Sequence, residues 1–166
     1  MKIIFRLVLL AGVLAAGVWL WLWFFPSPEK VIRQRLAAIA RLASFSADEN
    51  QLAMLGGAQK LAGFCSPDLQ VKLAAPANVE HTFESRQEIV QSLLGARAAF
   101  GGTLKVEFLD VLVTLAPDQR SAQADLTARM LPTNNNDVNV QEIKFTLKQV
   151  GGLWLVTRAE TVRNFN

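Results

Sequence analysis

From Leu7 to Phe25 the chain runs 19 residues without a charged side chain. Coiled as a helix at about 1.5 Å per residue, this run is about 28 Å long, close to the hydrocarbon thickness of a bilayer. A cleavable signal has a shorter apolar region followed by small residues at the cut site. Here Ala11, Ala15, Ala16 and Gly17 sit inside the run, and Trp19, Trp21, Trp23, Phe24 and Phe25 follow them. Aromatic rings prefer the headgroup level, and Pro26 and Pro28 end the helix in water. The expectation is a retained single-pass anchor over 1–25, a linker over 26–29 and one domain over 30–166. Lys2 and Arg6 favour an inside amino terminus, which puts the domain on the extracytoplasmic side of a cell inner membrane. A cleaved signal would leave the domain on that same side.

Charge narrows the partners. Of 17 Lys and Arg in the chain, Lys2 and Arg6 precede the domain, leaving 15 against 14 Asp and Glu. Phosphate-backbone binding needs a concentrated basic face, and no basic run exists, so nucleic acid is not an expected partner. There is one cysteine, Cys65, one histidine, His81, and no tyrosine. That inventory leaves no internal disulfide, no cysteine or histidine metal cluster and no tyrosine acid, and no cofactor is expected.

Beyond the linker the hydrophobic period identifies the elements. Val31, Ile32, Leu36, Ile39 and Ala43 recur at helical spacing, predicting a first amphipathic helix over Lys30–Ser44. Its basic residues can lie in water or against anionic headgroups. Ser46 and Glu49 have capping-box spacing and predict the start of a second helix, loosened by Gly56-Gly57. Leu69, Val71 and Leu73 alternate as a strand does. Ser85 and Glu88 predict a third helix carrying Ile89, Leu93, Leu94, Ala96 and Phe100, ending at Gly101-Gly102.

From Thr103 the period is two. Leu104, Val106 and Phe108 share one phase, and Leu109, Val111, Val113 and Leu115 the other, which a bulge near Leu109-Asp110 or a strand buried on both faces explains. Ala122, Ala124, Leu126, Ala128 and Met130 form a dry face opposite a wet one carrying Asp125 and Arg129. A strand with Ile143, Phe145 and Leu147, a turn at Gly151-Gly152 and a last strand with Trp154 and Val156 complete an antiparallel meander.

The helix "SRQEIVQSLLGARAAF", the strand pair "KVEFLDVLVTLAPDQRSAQADLTARM" and the closing "EIKFTLKQVGGLWLVTRAETV" together resemble the nuclear transport factor 2-like superfamily, which includes polyketide-cyclase-like and ketosteroid-isomerase-like domains. The resemblance spans about Pro28 to Val162. It implies an α+β fold, with three helices packed on a curved, mainly antiparallel sheet in a cone that encloses a pocket. It also implies a small apolar ligand and a homodimer formed through the sheet. The superfamily's enzymes place an Asp with Tyr, His, Arg or a second Asp in that pocket. Without tyrosine, the isomerase-type oxyanion donor is missing, and no catalytic motif can be assigned residue by residue.

Three polar residues stand out as ligand-binding candidates. His81, ahead of the third helix, is placed to reach a pocket mouth; its alternative is a surface role. Asp110 sits at the suspected bulge, where a side chain can be re-aimed. Arg158 shares parity with Trp154 and Val156, so a regular last strand turns it inward with Glu160, whereas a bulge at Ala159 releases both to solvent. Two functions follow: a membrane-tethered noncatalytic domain that binds an apolar ligand or a partner protein, or a small acid/base enzyme in which two of these groups converge.

Overall fold

The computed structural model describes residues 27–73, 79–133 and 138–162. Residues 1–26 lie outside the described residues, and the anchor expected there with them. Among the described residues no helix is long and apolar enough to cross a membrane.

Helix α1 (Pro28–Ala43) starts with Ser27 accepting a hydrogen bond from the Lys30 amide and with a proline in its first turn, where a missing N–H costs nothing. Ile32, Leu36, Ile39 and Ala40 form its buried stripe. Helix α2 (Gln51–Gly63) is capped by Asn50, whose Oδ1 accepts from the Ala53 amide at 2.8 Å. The capping box expected at Ser46 and Glu49 does not form. Phe45 instead pairs backbone to backbone with Leu104, and the Ala47 amide donates to Thr103 Oγ1 at 3.0 Å. These bonds tie the connection to the sheet, a turn at Ala47-Asp48 follows, and the helix begins only at Gln51. Helix α3 (Arg86–Phe100) begins as expected, with Ser85 Oγ accepting from the Glu88 amide, and stops at Gly101, whose φ of 65° is left-handed.

Six strands form one sheet in the order β2-β1-β6-β5-β4-β3. They are β1 (Cys65–Leu73), β2 (Val79–Thr82), β3 (Leu104–Leu115), β4 (Ser121–Pro132), β5 (Asn139–Val150) and β6 (Leu153–Thr161). The last four make the expected meander, and β1 joins it parallel to β6. The two-residue turn between β5 and β6 has Gly151 at φ 58° and Gly152 at φ 79°, the region that a right-twisted hairpin requires.

The bulge in β3 is real. Pairing with β4 shifts between Leu109 and Leu112, and Asp110 adopts φ 51°. One extra residue moves the inward phase from Phe108 to Val111 and Val113, which both pack against the core, and leaves Leu112 exposed. The core lies between the sheet and the helices, where Ala122, Ala124, Leu126 and Ala128 of β4 face Ile32, Leu36 and Ile39 of α1, with Leu147, Trp154 and Val156 beside them.

Candidate functional site

Toward one end of the sheet, Ala128 and Met130 of β4 border a space between sheet and helices. A cavity of about 400 Å³ occupies it. Ile39 and Ala43 of α1, Leu93 of α3, and Phe108, Ala128 and Phe145 of the sheet are among its walls, with Phe45 and Phe100 against each other at one side. Among the described residues the lining is apolar with one exception, Arg97 of α3, whose side chain is only 6% exposed.

Arg97 ties together all three helices. Its Nη2 donates to the Leu42 carbonyl at 2.6 Å, a group in the last turn of α1 with no further turn to bond it. Its Nη1 donates to the Met54 carbonyl of α2 at 3.5 Å and lies 3.4 Å from Glu49 Oε2. The guanidinium stacks 5.1 Å from the centre of the Phe45 ring. A Cβ at Gly57 would stand 3.4 Å from Nη1, in contact with the guanidinium.

The three residues predicted from sequence lie apart from the cavity walls. His81, on edge strand β2, is half exposed, with Nε2 3.0 Å from Glu88 Oε1 and its ring edge-on to Phe83. Glu88 in turn accepts the Glu84 amide at 2.8 Å, and that bond, followed by His81, holds its carboxyl below the usual range. Asp110 borders a groove on the outer face of the sheet with Asp125, Glu142 and Lys144. Arg158 pairs with Glu160 at 3.2 Å.

Of the two courses open to the last strand, a regular one turning Arg158 inward and a broken one releasing it, the broken one is found, with the break at Thr157 rather than Ala159. Pairing between β5 and β6 shifts at Thr146 and Leu147, so Thr157 is the extra residue; its Oγ1 donates to the Thr146 carbonyl. Val156 therefore faces the core opposite Leu147, and beyond the bulge Ala159 takes over that face opposite Phe145. Arg158 and Glu160 are set on the outer face, opposite Thr146 and Lys144. The irregularity falls two residues before Ala159, with the release to the other face that such a break entails.

Other polar groups do structural work. On the outer face Glu107 is paired with Lys105 at 2.9 Å and with Arg129, which hold its carboxyl below the usual range. Cys65 is pushed up to about 11, chiefly by burial, and its thiol donates to the Leu61 carbonyl. Among the described residues no group of three metal-ligating side chains converges.

The sequence matches no family profile and no curated protein. Solved structures are similar throughout the described part. A protein of unknown function from Pseudomonas putida, described as nuclear transport factor 2-like, shares 15% identity at a TM-score of 0.62, over 81% of this chain and 85% of its own. A candidate scytalone dehydratase from Novosphingobium aromaticivorans gives 16% and 0.57 over 82% and 84%. A protein from Catenulispora acidiphila, solved in complex with S-DNPA, gives 16% and 0.59 over 80% and 92%. With three helices on a six-stranded mixed sheet, the chain has the nuclear transport factor 2-like fold.

Proposed function

We propose that this chain is a membrane-tethered, noncatalytic binding domain at the outer face of the inner membrane, whose interior cavity takes a small apolar ligand. The cavity carries the reading. Its walls offer shape and apolar surface, and its one ionisable group, Arg97, is committed to the Leu42 carbonyl, Glu49 and Phe45. At about 400 Å³ the space is within the range of small-molecule sites. Tethering is supported by the charge-free run over residues 7–25.

The similarity to a candidate scytalone dehydratase raises acid/base chemistry as the other use of such a cavity. That chemistry needs a proton donor or acceptor within about 3 Å of the reacting group. No carboxylate or imidazole is among the described lining residues, and His81, Asp110 and Arg158 lie outside that lining. Binding is therefore the better supported use.

The test is native mass spectrometry of the full chain released from a mild detergent, read for retained small molecules and subunit mass. A retained apolar compound that disappears on Ala43→Leu, which fills the cavity from α1, is expected. Apolar dyes that bind wild type and the filled variant equally would overturn the reading.

A further inference from the structure

A second concave site lies on the far side of α1. Arg35, Arg41 and Leu42 of α1, Lys60 of α2, Phe64 just beyond it, and Leu153 at the start of β6 border a groove of about 570 Å³. Among the described residues every ionisable side chain in it is a cation, in a domain whose charges as a whole nearly balance. Among the described residues none of the three is in an ion pair with a carboxylate. Arg35 is fixed in place: its Nη1 donates to the Trp154 carbonyl at 2.8 Å and its guanidinium stacks 5.3 Å from the Phe64 ring centre. Leu153 is 53% exposed at the rim.

Arg41 and Lys60 each fall in the last turn of a helix, where a cation offsets the helix dipole. That accounts for each singly. It does not account for the exposed Leu153 in the same groove, beside cations that carry no carboxylate partner. A site with clustered cations and an apolar flank is complementary to an anionic group carrying a hydrocarbon chain, and a soluble anion would leave Leu153 uncovered. The charge-free run over residues 7–25 ends three positions before Pro28, the first residue of α1, and Arg35 and Arg41 lie on that same helix.

We propose that this groove binds the headgroup of an anionic phospholipid of the bilayer, its phosphate between Arg41 and Lys60 and the start of its chains against Phe64 and Leu153. The proposal rests on the tethered reading above, and the two fail separately. Resistance of the full chain to alkaline extraction from membranes reports the tether, whatever the groove does.

The groove is tested by native mass spectrometry of the full chain in neutral detergent, titrated with phosphatidylglycerol or phosphatidylcholine. Wild type should retain phosphatidylglycerol in preference. The double variant Arg41→Ser/Lys60→Ser, both exposed positions whose fold is checked by circular dichroism, should bind it about 30-fold more weakly. Lys105→Ser/Arg120→Ser, which removes the same charge elsewhere, should leave binding unchanged. Equal retention of the two lipids, an unaffected groove variant, or an equal loss in the control pair overturns the proposal. Full displacement by inorganic phosphate overturns it in favour of a site for free phosphate.

Discussion

Replacing Arg97 with methionine keeps an unbranched apolar stem that ends about where Nε stands, and removes every polar contact the guanidinium makes. The Leu42 carbonyl, at the end of α1, loses its 2.6 Å donor, and leaving such a group without a partner costs about 1–3 kcal/mol. Loss of the stacking on Phe45 adds about 0.5–2 kcal/mol. The Glu49 pair adds less than about 1 kcal/mol, because the carboxylate side is 26% exposed and screened. Relief of the guanidinium's own desolvation offsets part of the sum. The expected net loss is about 2 kcal/mol, or about 5–10 °C in Tm for a domain of this size. Thermal and urea unfolding of the full chain in a mild nonionic detergent, followed by circular dichroism, measures it. Glu49→Gln alone should cost about 0.5 kcal/mol. If Arg97→Met loses less than Glu49→Gln, the three-helix clamp is not what holds this end of the core, and the arginine must be sought in ligand binding instead.

Three further outcomes follow from the same structure. Cys65, raised to about 11 by burial, should resist thiol reagents at pH 8 until the domain unfolds; the unfolded thiol ionises near pH 8.5, so its contribution to stability is complete below that pH and is lost as pH rises toward about 11, which unfolding midpoints across that window would show. Asp118 accepts the Arg120 and Ser121 amides and the Ser121 hydroxyl, bonds that lower its pKa, so its contribution is present above the ordinary aspartate value and fades as pH falls through the lowered one; an NMR titration of Asp118 should show a midpoint below that of an unstructured aspartate. Gly151→Val places a branched side chain at φ 58° and should cost more than about 1 kcal/mol in urea unfolding, with Gly63→Ala, in an open helical position, close to neutral as its control.

Most of the fold was legible in the sequence because its signals are local. Period two from Thr103, the Ser85 cap, the Gly151-Gly152 turn and the phase jump at Leu109-Asp110 each depend on a few neighbouring residues, and each is found where expected. The start of α2 was misplaced because the pairing of Phe45 with Leu104 is a contact across 59 positions, which no local pattern encodes. The facing of Arg158 stayed open between a regular strand and a broken one, because a bulge at Thr157 leaves no mark in the alternation of an already mixed strand.

Arg97 was overlooked although it had a signal. It lies four residues after Leu93 and three before Phe100, on the face α3 gives to the cavity, and a lone cation at that spacing asks for a buried partner. The run of alanines on β4 was likewise visible as a dry face, but whether small side chains make a void or a close approach depends on what stands opposite them.

The parallel pairing of β1 with β6 sets an order of events during synthesis. β1 lies near the start of the domain and its neighbour β6 is the last of the described strands, so the centre of the sheet cannot close until Leu153–Thr161 have left the ribosome. Until then β1 presents an unpaired edge, and the β3–β5 meander has only half its sheet to pack against the helices. Contacts this distant in sequence slow folding and prolong the exposure of sticky edges. A nascent chain of this design depends on its final nine-residue strand, Leu153–Thr161, to become a finished domain.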